Sequence, residues 1–430
     1  MPSSDGRTLS RVSVASWILY DLANTIFSMS ISSLYFSLYV RETAGAGNAD
    51  RIYGFTTAVS MAVIFVLSPL LGALTDRAPR RVPFLTVSTL ICVGFTALLG
   101  QGGLRPSLVF FVIANIAYQA GLQFYDALLP EVSTETNRGW IGGVGVGVGY
   151  LGSFIGIGTG YYMLQRLGTS REALFQVTAL LFLVFALPSF FFIRERGNPR
   201  ASRFSWTSIR EAFAQVIDTV RESHRYPGLF RFLVGRVLYT DAVNTVIAVM
   251  GLYVTNIAVQ AGFEKAAGEA LAQKILLVAV TCAIIGGFVW GRIVDRIGPK
   301  RTLDLVLHLW IVVLIMAAAF GLLGLPLWLF YFIASGAGVA MGGVNAADRI
   351  YMLRLAPPER IGEFYGLYGM VGRFSAVTGP LLWGLIVGTF FAGRPGIGQP
   401  IGIFVMTVMV VGGYFVLRPV RDDAAPTSDR

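Results

Sequence analysis

The chain has 430 residues, 55% of them hydrophobic and only 13% charged, with a mean hydropathy of +0.66. That leaves too little polar surface for a soluble globular protein. Its net charge of +10 would suit a nucleic-acid binder, but the cations fall in alternate loops, which is the positive-inside pattern of a multi-pass membrane protein. Cys92, Cys282, His224 and His308 are too scattered for a disulfide framework or a metal site, so no metal, cofactor or nucleic-acid partner is expected.

In chain order, twelve apolar runs are each long enough to cross a hydrocarbon core: roughly 13–40, 53–75, 83–101, 106–128, 139–164, 173–193, 229–257, 271–294, 302–323, 326–349, 363–391 and 400–417. The predicted fold is all-α and integral to the membrane, with twelve transmembrane helices and nothing left over for a soluble domain. The first run is too long and too polar for a cleavable signal peptide and is read as a retained span. It contains WILYDLANTIF, from Trp17, in which Asp21, Asn24 and Thr25 share one helix face. A charge at the centre of a lipid-facing helix costs about 3 kcal/mol, so a partner or a function must offset it. Between runs 2 and 3 lies GALTDRAPRR, with Gly72, Asp76, Arg77, Arg80 and Arg81. Run 4 places Asn115 and Gln119 near mid-depth, where they are candidates to line a cavity. Run 5 carries Gly145, Gly149, Gly152, Gly156 and Gly160, a ladder for close helix contact. The polar stretch Gly197–Tyr226 then divides the chain into 1–196, a linker 197–227, and 228–430. In the linker, Ser208 and Glu211 form a capping box ahead of Ile209, Phe213, Val216, Ile217 and Val220. This spacing predicts an amphipathic helix along the cytoplasmic face.

The second half repeats the first. Asp241, Asn244 and Thr245 match Asp21, Asn24 and Thr25 at a shift of 220, and GRIVDRIGPKR, from Gly291, matches GALTDRAPRR at a shift of 219. Asp348 matches Asp126 at a shift of 222. The second motif supplies Gly291, Asp295, Arg296, Lys300 and Arg301. In both copies the glycine allows close helix approach, and the aspartate, Asp76 or Asp295, would face the positive N-terminal end of a helix in the opposite half. The cations close the cytoplasmic side, so the pair reads as a gating latch. Anchoring by positive charge alone would explain the cations but not the paired Gly and Asp. Arg373 lies about ten residues into run 11, roughly 15 Å deep at 1.5 Å per residue. An intramembrane arginine is a functional candidate by default.

GALTDRAPRR resembles the G-x-L-x-D-R-x-G-R-R signature of the major facilitator superfamily, departing at Ala78-Pro79. WILYDLANTIFSMSI resembles the opening span of its vacuole-effluxer-like branch, which includes fungal vacuolar amino-acid exporters. ALLPEV from Ala127, GYLG from Gly149 and PPERIGEFYGLYGMVGRFSAVTGPLLWG from Pro357 agree with that branch. NAADR, from Asn345, departs from its Gln-x-x-Ser-Arg pattern. The resemblance implies a major facilitator fold of two six-helix repeats, with spans 1 and 7 lining a central cavity. There the two aspartates and two amides would take protons, ligate Na⁺ or bind an ammonium group. The alternative is that each aspartate pairs with a nearby arginine, such as Arg236 or Arg11, and only fixes packing. Arg373 would hold a carboxylate or phosphate, or bridge to Asp21 or Asp241.

The function expected is a secondary active transporter working by alternating access. It would be monomeric, with a small-molecule substrate, and would export small polar or zwitterionic, amino-acid-like solutes on a proton or Na⁺ gradient. The abundance of arginine over lysine, the short loops and the lack of an N-x-[ST] acceptor point to a bacterial inner membrane, with both termini cytoplasmic. A multidrug–proton antiporter is the competing transport reading. It is weakened because run 5 has no Gly-Pro, while Gly379-Pro380 stands in run 11. A non-transporting receptor or assembly factor is the reading from another class. No phosphate loop, metal cluster or nucleophile elbow supports an enzyme.

Overall fold

The computed structural model describes residues 10–196, 227–391 and 394–420. The predicted amphipathic linker helix falls almost wholly on 197–226 and lies outside the described residues. A backbone in hydrocarbon must satisfy its own hydrogen bonds, and the chain does so with helices; no strand occurs among the described residues. The first run is α1 (Arg11–Phe27), a π-helical stretch Ser28–Tyr35, and α2 (Phe36–Ala44). Then follow α3 (Ala46–Arg77), α4 (Val82–Ala97), α5 (Leu104–Ala127) and the short α6 (Leu129–Val132). Next come α7 (Arg138–Tyr161), α8 (Arg171–Phe192), α9 (Pro227–Gln260) and α10 (Lys265–Ile297). The last four are α11 (Pro299–Leu323), α12 (Phe330–Leu355), α13 (Ile361–Trp383) and α14 (Pro395–Leu417).

Nine helices among the described residues are long and apolar enough to cross a membrane. The other three apolar runs are helical too, but each departs from a full, regular span. α4 has 16 residues, and the first and eleventh runs are interrupted by the π stretches Ser28–Tyr35 and Gly384–Phe390. In the first of these, the Ser33 hydroxyl donates to the carbonyl of Ser28, five residues back, at 2.8 Å. Such π turns are rare and cluster at functional sites.

The chain divides into two compact units. One is 1–217 with 359–366; the other is 218–358 with 367–430. Within unit 1, α1 packs on α7 and α8, α3 on α5, and α4 on α5 and α8. Within unit 2, α9 packs on α14, α10 on α12, and α11 on α12 and α14. Counted from the start of each half, the pairings of first with sixth, second with fourth, and third with fourth and sixth recur in both units. The core of unit 1 is aromatic, with Trp17 stacked on Tyr125 at 4.5 Å and Phe36 on Phe111 at 4.3 Å. Unit 2 centres on Trp310, Tyr253 and Tyr351, all buried. Phe191, Phe404, Leu276 and many other large apolar side chains stand on the outside, as a lipid-facing surface requires.

Candidate functional site

The polar trio of the first run sits on α1, and its aspartate meets the glycine ladder of α7. A methyl group added at Gly149 would come within 3.2 Å of the Asp21 carboxyl carbon and 3.5 Å of the Thr25 hydroxyl. The Thr25 hydroxyl donates back to the Asp21 carbonyl at 3.0 Å, which leaves its lone pairs available. Asn24 is buried, and neither its amide nitrogen nor its amide oxygen has a hydrogen-bond partner. Tyr118, on α5, is hydrogen-bonded to the Ser28 side chain and lies within electrostatic reach of both Asp21 and Asp126. Asn115 is buried and donates to Ser60 at 2.8 Å, while its oxygen stays unpartnered; Gln119 is half-buried.

Unit 2 repeats the arrangement with tighter bonding. Asp241 on α9 is buried, and its Oδ1 accepts the backbone N–H of Gly379 on α13 at 2.6 Å. Gly379 is needed there, since a Cβ would lie 2.4 Å from that oxygen. The Thr245 hydroxyl is buried beside the same glycine without a partner, and Asn244 is half-buried. In each half, then, the aspartate of the first helix rests on a glycine of the fifth. Arg373 belongs to α13, but its side chain lies outside the described residues.

Sequence reasoning missed the most strongly bonded group of unit 2. Arg236, on α9, donates through Nε to Asp348 Oδ2 at 2.7 Å and through Nη1 to the Tyr368 carbonyl at 2.9 Å. Its guanidinium lies 3.6 Å over the Tyr368 ring. Asp348 also accepts from the hydroxyls of Tyr239 and Tyr368. Arg236 is thus the partner of Asp348, whereas the sequence offered it to one of the trio aspartates. The available signal was NAADR itself, where Asp348 stands at the serine position of the branch pattern.

The first gating motif is built around Asp76. Its Oδ1 accepts from the N–H of Gly362 at 2.7 Å and its Oδ2 from that of Glu363 at 2.8 Å, both in the first turn of α13 and both grouped with unit 1. Arg81 adds a pairing to Oδ1 at 2.8 Å. Gly72 lets the helices come this close, because a Cβ there would stand 2.0 Å from the Gly362 carbonyl oxygen. Arg77 is half-buried and Arg80 exposed. The turn runs through Ala78 in an extended conformation and then Pro79, the position at which the second motif has Gly298 at φ +86°. In that second motif Gly291 is buried, Asp295 half-buried, and Arg296 and Arg301 exposed; Lys300 turns back to Asp304 at 2.6 Å on its own helix. Two further carboxylates organise this end of unit 1. Glu195 accepts the N–H of Val82 at 2.6 Å and that of Arg81, and Glu131 accepts that of Arg196 at 3.0 Å.

A profile of the family described as "Vacuole effluxer Atg22 like" matches residues 48–418. The chain belongs to the vacuole effluxer Atg22-like family. It is therefore a multi-pass membrane protein and a transporter of the major facilitator type, in a family of transporters rather than enzymes. The MFS-type transporter YxiO of Bacillus subtilis (strain 168) is 25% identical over 430 residues, covering 95% of each chain. Autophagy-related protein 22 of Yarrowia lipolytica (strain CLIB 122 / E 150) is 24% identical over 339 residues, covering 70% of this Atg22-like chain and 55% of its own length. Among solved structures, the human organic anion transporter MFSD10 (TETRAN) superposes with a TM-score of 0.69 at 15% identity, over 95% of this chain and 99% of its own. A bacterial homologue of the iron transporter ferroportin gives 0.71 at 14% identity over the same shares. These likenesses establish the major facilitator fold.

Proposed function

We propose that this Atg22-like transporter exports small polar or zwitterionic solutes, amino acids being the class, on a proton or Na⁺ gradient. The observation that carries this reading is the Asp241 site. A carboxylate buried between two apolar helices, fixed by the Gly379 N–H and flanked by the unpartnered Thr245 hydroxyl, is costly unless it is used. Such a group takes a proton, ligates Na⁺ through oxygens, or binds an α-ammonium group. Asp21 with Thr25 is its counterpart in unit 1. Arg373 supplies the cation that a substrate carboxylate needs. Asp76 serves as the latch, releasing the first turn of α13 during each cycle. The cations of the alternate loops support a cytoplasmic latch and cytoplasmic termini in this reading, with the plasma membrane as the site of action.

The test is transport in reconstituted vesicles loaded with labelled amino acids under an imposed proton or Na⁺ gradient. Asp21→Asn and Asp241→Asn are expected to keep substrate exchange and to lose gradient-driven accumulation. Arg373→Lys keeps the charge but loses the bidentate fork, and apparent affinity should fall about tenfold or more. No amino-acid movement above protein-free vesicles would overturn the substrate class. Unchanged ion dependence in both asparagine variants would overturn the coupling role.

A further inference from the structure

We infer that the cleft between the start of α4 and the end of α8 binds the headgroup of an anionic phospholipid. The cleft has a volume of about 670 Å³ and lies wholly within unit 1. Its walls are apolar, including Val87, Phe190 and Phe191. Phe191 is 72% exposed and Val87 57%, so these walls continue into the lipid-facing surface. Arg80 and Arg194 line the same cleft, and both are exposed. Neither has an ion-pair partner among the described residues, while the neighbouring Arg81 is paired with Asp76 and Arg196 with Glu131.

The acid in the lining, Glu195, makes no ion pair with either among the described residues. Its two carboxylate oxygens already accept the backbone N–H groups of Arg81 and Val82. The cleft therefore presents two guanidinium groups at the rim of an apolar wall, where two spans end. A lipid phosphate matches the forked donors, and its acyl chains cover Val87, Phe190 and Phe191. Free phosphate would satisfy the arginines and leave the wall bare. Basic pockets between transmembrane helices hold anionic headgroups by this combination.

The purified full-length protein in detergent micelles provides the test, with phosphatidylglycerol, phosphatidylcholine and millimolar inorganic phosphate added separately. Phosphatidylglycerol is expected to raise Tm, while the other two do not. In Arg80→Gln/Arg194→Gln, the phosphatidylglycerol needed for a half-maximal shift should rise about 30-fold. That is ~2 kcal/mol, at about 1 kcal/mol for each basic residue near an anionic surface. An unchanged midpoint in the variant overturns the site, as does an equal shift with phosphatidylcholine. A shift reproduced by inorganic phosphate replaces the lipid with a free anion. Should the double variant fail to fold, a photoreactive benzoylphenylalanine in place of Val87, irradiated in native membranes, decides the matter. A phospholipid adduct enriched in phosphatidylglycerol over its share of the membrane supports the proposal, and an adduct that merely follows the membrane's composition overturns it. An adduct to residues 197–226 of the chain itself, or no lipid adduct, overturns it.

Discussion

Arg236 and Asp348 form a buried ion pair whose worth lies in its completeness. Asp348 takes one guanidinium and two phenol donors, and Arg236 also satisfies the Tyr368 carbonyl. Removing one partner leaves the other charge uncompensated in an apolar interior, at a cost of about 3–5 kcal/mol, whereas replacing both with apolar groups is often neutral. Asp348→Ala should therefore lower Tm by several degrees in detergent, and adding Arg236→Met should recover much of the loss. A double variant no more stable than Asp348→Ala would show that the two residues do not act as a pair. The sequence pointed to each residue but not to the pairing. Arg236 precedes Asp241 by five positions, about 140° around a helix of 3.6 residues per turn. It reaches α12 through Asp348 and the first half of α13 through Tyr368, while Asp241 meets α13 further along, at Gly379. That rotation can be computed from the spacing, but which neighbouring helix fills each direction depends on the packing.

At the scale of elements, the start of α4 shows how a distant acid can replace a local cap. Its N-cap, Arg81, makes no side-chain capping bond, and two of the amide groups there go to Glu195 instead. Burial pushes the Glu195 carboxyl up, against the lowering effect of the Arg81 and Val82 N–H groups. A folded pKa above the unfolded one means that the native state holds its proton to higher pH. The resulting stabilisation is complete below the ordinary glutamate range, near 4.3, and is lost as pH rises through the raised value. Tm should accordingly fall with rising pH across that weakly acid window. Glu195→Gln should flatten the slope there, and superimposable Tm profiles for the two proteins would contradict this. All twelve apolar runs were legible as helices because lipid leaves the backbone no alternative. The π stretches were not legible, since Ser28–Tyr35 is held partly by tertiary bonds such as that from the Tyr53 hydroxyl to the Ser32 carbonyl. The ladder on α7 was readable as a close contact, but its partner, the Asp21 face of α1, was not.

At the scale of the whole molecule, the duplication was readable from three residue pairs in register, and the helix pairings within the two units repeat it. That Asp76 would meet a helix end of the other half was readable from the motif; what could not be read was which helix, and that 359–366 cluster with the first unit rather than with the half that encodes them. This depends on two N–H groups meeting the oxygens of an aspartate 286 and 287 positions earlier, an approach that only glycine at 72 and 362 permits. The consequence is a prediction about a divided chain. Residues 1–217 expressed alone keep the Arg81 pairing to Asp76 but lose the two N–H donors of Gly362 and Glu363, which leaves part of the desolvation cost of a buried carboxylate uncompensated. Co-expression with 218–430 supplies Gly362 and Glu363, so an affinity-tagged 1–217 should accumulate better and carry the second fragment through purification. Asp76→Asn keeps the size of the side chain but weakens two charge-assisted bonds, each contributing about 1.5–3 kcal/mol, and recovery of the second fragment should fall tenfold or more. Gly72→Ala should be at least as severe, because the new methyl would stand 2.0 Å from the Gly362 carbonyl oxygen and the helices would have to part before any hydrogen bond could form. If Asp76→Asn recovers as much of 218–430 as the wild-type fragment does, the bonds to α13 contribute nothing to holding the two pieces, and the latch reading of the motif loses its structural basis.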